Sequence, residues 1–214
     1  MAGRIENGLS AIADHSGGTM TPNRHAPPSV LSLFLLVAIL LLPVVAHAST
    51  GAVHVFVGQK FLGEDEWEPV EHQLEVGIDA AMGGDSWPIW INFGILAASA
   101  DDEIGGGDQL EGSTMELYAG INKTWTGNQF HPYVSGGFAF VNSDVEVRDV
   151  NDDIVAEDDD SGPGLYVQGG GYWRVGSSLN LGGMLRYSVF GDDFEGGGVH
   201  LGVTIGWGWP KRNY

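Results

Sequence analysis

The sequence predicts an all-β protein: eight antiparallel strands in up-and-down order, closed into a transmembrane barrel. Three observations predict it. Apolar and non-apolar residues alternate in eight separate runs, the pattern of strands whose two faces meet different surroundings. The non-apolar face of those runs is nearly uncharged, which suits a narrow lumen and not a water-facing surface. The links between runs alternate short and long, and the long ones hold most of the acid.

Composition excludes much else. The chain has 214 residues, no Cys, 34 Gly, 9 Pro and a formal net charge of -19. Without Cys there is no disulfide scaffold, Cys-ligated metal or thiol nucleophile. The acidity argues against a nucleic-acid partner, because phosphate contact needs a basic face. Disorder is a poor reading as well, since hydrophobic residues make up 43% and charged ones only 17%.

The first segment reads as an address. The apolar run Val30 to Val45 is followed by Ala46-His47-Ala48, the form of a cleaved secretory signal. Counting from Met20 gives 29 residues to Ala48, so Met20 is read as the start and residues 1–19 as an extension ahead of it. Residues 1–48 are then extension plus signal peptide, and residues 49–214 the barrel domain. An uncleaved anchor is the alternative, although the run is shorter than the ~20 residues a spanning helix needs.

The strands follow in order. The first two runs cover about 53–61 and 73–81. The third sets Ile89, Ile91, Phe93 and Ile95 against Trp90, Asn92, Gly94 and Leu96. In the fourth, Met115, Leu117, Ala119 and Ile121 oppose Glu116, Tyr118, Gly120 and Asn122. The fifth and sixth cover about 132–141 and 164–174. Leu179, Leu181, Leu185, Tyr187 and Val189 mark one face of the seventh. Val199, Leu201, Val203, Ile205, Trp207 and Trp209 mark one face of the eighth. Each run is close to the ~9–11 residues with which a tilted strand crosses a bilayer.

The connections agree. Short links fall at Met82–Trp87, Thr126–Gln129 and Gly176–Ser178. Long ones fall near 62–72, 99–113, 142–163 and 190–198, and hold 22 of the 26 acidic residues that follow Ala48. Short turns at one end and long loops at the other are the mark of a membrane barrel. Trp87, Trp125, Trp173, Trp207 and Trp209, with Phe130 and Tyr133, cluster near the short-turn end and read as an interfacial aromatic girdle. Trp90 departs from this, because strict alternation turns it inward.

Three stretches carry a family resemblance: His131-Pro-Tyr-Val-Ser-Gly-Gly-Phe-Ala-Phe140, the Gly-rich span Leu165 to Tyr187, and the last strand with His200-x-Gly202-x-x-Ile205-x-Trp207. Through them the chain resembles the small outer-membrane β-barrel proteins, the group containing the OmpA transmembrane domain, OmpX and OmpW. The resemblance implies a place in the cell outer membrane of a Gram-negative envelope. It also implies contact with membrane lipid and lipopolysaccharide, and recognition of the last strand by the barrel assembly machinery. The chain departs from the pattern at its end, where Pro210-Lys-Arg-Asn-Tyr214 displaces the terminal aromatic residue.

For chemistry, the inward face offers Lys60, Glu75, Asp79, Glu116, Arg174 and Arg186. These are expected to pair in a lumen charge network, since unpaired charge is costly there. His54 and His200 also face the lumen, without a partner visible in sequence. The acidic stretches offer Asp149, Asp152, Asp153, Asp158 and Asp160 as hard oxygens for Ca²⁺ or Mg²⁺, although the EF-hand spacing is absent. No catalytic residue or resident cofactor is expected, and the chain reads as a monomer and not an enzyme. Its expected role is structural or in surface interaction through the acidic loops. Two alternatives are an OmpW-like conduit for small apolar molecules and a soluble, lipocalin-like periplasmic binding protein with its apolar face inside.

Overall fold

Alternation along a strand becomes two faces of a sheet, and a sheet in hydrocarbon must close on itself to satisfy its edges. The computed structural model describes residues 50–63, 69–84, 87–104, 108–125, 129–150, 154–191 and 197–209. The expected signal peptide lies outside them. Eight strands follow one another: β1 (Thr50–Leu62), β2 (His72–Gly83), β3 (Trp90–Ile104), β4 (Asp108–Thr124), β5 (Phe130–Arg148), β6 (Ile154–Val175), β7 (Leu179–Phe190) and β8 (Gly198–Trp209). Each pairs antiparallel with its neighbour, and β1 closes on β8 from Gly51↔Trp209 to Leu62↔Gly198. At the β6–β7 turn Gly176 takes a positive φ of 66°, a conformation that costs a side-chain-bearing residue.

The apolar face is outside. Leu74, Phe138 and Val203 are 64%, 75% and 66% exposed, and Val55, Ile91, Leu165 and Leu201 stand exposed beside them on neighbouring strands. This excludes the lipocalin-like alternative, which needs these residues inside. A continuous apolar wall has no favourable contact with water and is the surface a bilayer covers. Trp87, Trp125, Trp173 and Trp207 are about half exposed at the short-turn end, with the Phe130 ring 4.6 Å from that of Trp173. Tyr133 is a correction to the expected girdle. It turns inward and lines an interior cavity with Trp90 and Tyr172, because inward positions of β5 carry odd numbers.

A second correction concerns the long links. Regions 99–113 and 142–163 are largely strand. β3 and β4 stay paired to Ile104↔Asp108, and β5 and β6 from Phe130↔Trp173 to Arg148↔Ile154, with a register shift at Val147/Arg148. Above the apolar band both faces meet polar surroundings. Side-chain alternation ends there, but backbone pairing does not. β3 to β6 therefore rise beyond their neighbours: β2 pairs with β3 only to Leu74↔Ser99, and β7 with β6 only to Gly164↔Phe190.

Candidate functional site

Two regions collect polar chemistry: the lumen and the acidic extension. In the lumen, closure sets one row of side chains across six strands, Ser135–Gln168–Arg186–His200–Lys60–Gln73. Arg186, His200 and Lys60 are thus adjacent on the wall, and Glu75 and Glu116 meet them from β2 and β4. All five are at most 2% exposed. With so little water, such groups must satisfy one another.

Specific bonds meet most of that demand, while Glu75 Oε2, Glu116 Oε2 and Arg186 Nε have no hydrogen-bond partner among the described residues. Arg186 donates to Glu116 and, at 3.3 Å, to Gln168 Oε1. Its guanidinium carbon lies 4.0 Å from the ring centroids of both Tyr118 and Tyr166, which themselves meet edge to face at 5.0 Å. Lys60 Nζ donates to Thr114 Oγ1 at 3.0 Å, and Thr114 donates to Gln73 Oε1 at 3.1 Å. The Tyr118 hydroxyl donates to Asp79 Oδ2 at 2.7 Å, and the Tyr166 hydroxyl to Asn92 Oδ1 at 3.1 Å. Two of these tyrosines need glycine opposite them. A Cβ at Gly94 would meet the Tyr118 hydroxyl, and one at Gly120 would stand 2.7 Å from that of Tyr166.

The structure thus brings Arg186 and Glu116 into direct contact. Lys60 and Glu75 find neutral and imidazole partners, and Asp79 bonds Tyr118. Arg174 stands apart from this group: its Nε donates to Asn180 Oδ1 at 3.1 Å, near Tyr172. His54 contacts Asn180 through Nε2 at 3.2 Å.

Sequence reasoning missed one constellation. His200 Nδ1 is 2.7 Å from Glu75 Oε1, and its Nε2 is 2.9 Å from Ser188 Oγ. With the ring hydrogen on Nδ1, Glu75 accepts from the ring and Nε2 accepts from Ser188. This is a hydroxyl–imidazole–carboxylate relay of the kind used by serine hydrolases. Here Ser188 is 1% exposed and His200 fully buried, so no acyl group has room beside the hydroxyl. The bulkiest fully buried side chains, Arg186, Phe56, Lys60, Leu96 and His200, all face the lumen. Phe56, Leu96, Tyr118, Val141, Tyr166 and Met184 form its apolar packing, and Leu62 and Val70 cluster toward the long-loop end with Ala100, Leu110 and Val145 against them. Among the described residues the middle of the lumen is a packed core, and the cavity beside Tyr133 lies toward the short-turn end.

The second region is the extension. Cross-strand register places Asp101, Glu111, Glu146 and Glu157 directly side by side across β3 to β6. Like charges set opposite one another are destabilising. Arg148 is built into this patch, 2.5 Å from Glu146 and 3.6 Å from Glu111. Partial burial holds the Asp144 carboxyl above the usual carboxylate range, and Glu146, Glu157, Asp159 and Glu111 add to the effect. The ligand atoms of Asp144, Glu146 and Glu157 lie within 4.8 Å of one another. Of the cation ligands expected from sequence, Asp158 and Asp160 are exposed on β6, outside that trio, and Asp149 lies just past β5. Asp152 and Asp153 lie outside the described residues.

No protein-family model matches this chain, and neither does any curated protein. Solved structures do. The attachment invasion locus protein Ail of Yersinia pestis, in complex with the heparin analogue sucrose octasulfate, superposes with a TM-score of 0.52 at 10% identity. The match covers 74% of this chain and 95% of that one. A second Ail structure gives a TM-score of 0.51 at 10% identity over the same shares. Neisserial surface protein A gives 0.49 at 11% identity, covering 77% of this chain and 98% of that one. This is the fold of the small outer-membrane β-barrels. Fold and apolar wall together make it a closed barrel with a membrane-spanning surface. At such identities the likeness is one of fold.

Proposed function

We propose that this chain is a structural and surface-interaction protein of the outer membrane, with its acidic β3–β6 extension as the outward contact face. The observation that carries this reading is the pairing of a filled lumen with a long acidic extension. Arg186, Phe56, Lys60 and Leu96 occupy the space a solute would cross, so what the barrel offers is what it holds above the membrane. That packing also disfavours a conduit for small apolar molecules. In the same reading the chain is exported by a signal cleaved after Ala48. It is inserted by the barrel assembly machinery through β8 and works as a monomer without catalytic residues.

Ail is described with a heparin analogue, a sulfated and therefore anionic ligand. The extension of this chain has the opposite preference, since Asp101, Glu111, Glu146 and Glu157 repel anions. Where it stands beside anionic lipid and lipopolysaccharide head groups, Ca²⁺ or Mg²⁺ provides the counter-charge.

The test is fractionation of expressing cells with electrophoresis of unheated and boiled samples, followed by protease treatment of intact cells. The expected result is an outer-membrane band whose mobility changes on boiling, with cleavage confined to the extension. A band released without detergent, or an extension protected in intact cells, refutes the reading.

A further inference from the structure

The lumen keeps a cavity on the short-turn side of its packed core, and strand register explains it. Inward residues of β1 and β2 stand opposite one another in pairs. His54 faces Asp79, and the next inward pair toward the short turns is Ala52 with Ala81. Two methyl side chains leave space there, and Trp90 of β3, Tyr133 of β5 and Tyr172 of β6 close around it. About 10 Å³ is left to the centre of a water-sized sphere, which is room for one hydroxyl-sized group. The cavity is partly open, so a guest need not fit wholly inside it.

The polar groups at its inner end have fixed roles. Arg174 Nε donates to Asn180 Oδ1 at 3.1 Å, so the Asn180 amide turns its Nδ2 to His54 Nε2, 3.2 Å away. An amide nitrogen only donates, so Nε2 accepts and the ring hydrogen sits on Nδ1. Nδ1 faces Asp79 Oδ1 at 3.9 Å, too far for a direct hydrogen bond. The other carboxylate oxygen, Oδ2, accepts from the Tyr118 hydroxyl at 2.7 Å. Thr124 and Asn122, which also line the cavity, are bonded to each other at 2.7 Å. His54 and Asp79 thus present an unmatched donor and acceptor, on side chains only 8% and 9% exposed.

We propose that this cavity binds the hydroxyl end of a small neutral alcohol or glycol. A hydroxyl accepts from His54 Nδ1–H and donates to Asp79 Oδ1 at once. An ammonium or metal cation has no lone pair for the imidazole hydrogen, and an anion is repelled by Asp79. The first carbons of an alcohol also displace water from Ala52, Ala81 and the aromatic rings, a gain that a water molecule in the same place does not bring. The site is separate from the acidic extension and does not depend on what that extension contacts.

The experiment uses the full chain, labelled with nitrogen-15 at histidine and folded in phospholipid nanodiscs. Ethane-1,2-diol is the probe, and the imidazole resonances are the readout. His54 is expected to carry its hydrogen on Nδ1, and that nitrogen to shift saturably with the diol. The exposed His72 and the buried His200 are expected to stay unchanged. Binding is expected to weaken about tenfold or more for 1,2-dimethoxyethane, which cannot donate. The same loss is expected in Asp79→Asn, where Tyr118 keeps the remaining oxygen and the amide NH₂ turns to the cavity. It is expected as well in Ala81→Val, which fills the space and leaves both polar groups in place. A His54 hydrogen on Nε2, the absence of a saturable shift, or an equal response to the dimethyl ether overturns the proposal. So does undiminished binding in Ala81→Val. Tighter binding of ethylammonium would mean that the charge of Asp79 selects the guest, and overturns it too.

Discussion

Replacing Arg186 by Met tests whether the lumen is held by paired charge. Arg186 is fully buried, bonded to Glu116 and Gln168, and packed against the rings of Tyr118 and Tyr166. Met keeps much of the stem volume but removes five donors and the charge. The Glu116 carboxylate, itself 2% exposed, is left without its cation. Breaking one side of a buried pair costs about 3–5 kcal/mol. Loss of the guanidinium contact with two tyrosine rings adds about 1 kcal/mol or more. A destabilisation of about 5 kcal/mol is expected, several thousandfold in the unfolding equilibrium. The measurement is urea unfolding of the barrel in lipid vesicles, followed by tryptophan fluorescence. A paired Glu116→Gln, Arg186→Met variant is expected to recover half of the loss or more, because neither charge is then stranded. A single variant within 1 kcal/mol of the parent would refute the reasoning, as would a double variant as unstable as the single one.

Gly94→Ala is expected to cost about 1–3 kcal/mol by overpacking, because the new methyl meets the Tyr118 hydroxyl; the same unfolding assay measures it. Brominated lipids are expected to quench tryptophan fluorescence most strongly when the bromine sits near the head groups, since Trp87, Trp125, Trp173 and Trp207 lie at the short-turn rim; strongest quenching at the bilayer centre would contradict the girdle. Asp144 binds its proton more tightly when the extension is folded than when it is open. The extension should therefore gain stability as pH falls through that raised value, and lose it again as pH rises. Amide exchange in the β5–β6 hairpin, corrected for intrinsic rates, should show this, and Asp144→Asn should flatten it. A serine-directed fluorophosphonate is expected to leave Ser188 unlabelled in the folded barrel, and mass spectrometry of the intact chain reads that outcome.

The strands were legible because the bilayer imposes strict alternation. From Ile89 to Phe93 and from Val199 to Trp207, every second residue faces outward. The same rule hid the upper halves of β3 to β6. Asp101, Glu111, Asp144 and Glu157 meet water on one face and polar neighbours on the other, so nothing in their order distinguishes strand from loop. Tyr133 was misplaced for a related reason: proximity to the short-turn end fixes its height, but only its parity on β5 fixes its side. In the lumen, the charged residues were visible one by one, and their partners were not. His200 meets Glu75 across 125 positions of sequence, and this contact exists only once β8 has closed on β1. A register that depends on closure cannot be read from any single strand.

The relay of Ser188, His200 and Glu75 follows from the same closure. An imidazole buried in a tight lumen has two nitrogens to satisfy, one as donor and one as acceptor. A carboxylate on one side and a hydroxyl on the other meet that demand with the fewest groups. Serine hydrolases arrive at this arrangement because it also moves a proton. What separates the two cases is access. A nucleophile needs an open position about 3 Å away for the reacting carbon, and donors beyond it for the oxyanion. Around Ser188 that space belongs to the barrel's own packing, with Tyr166, Met184 and Phe190 in the apolar cluster of the same lumen. The relay therefore contributes to the barrel as satisfied polar packing, worth about 0.5–1.5 kcal/mol for the Ser188 bond. Its geometry alone is no sign of catalysis.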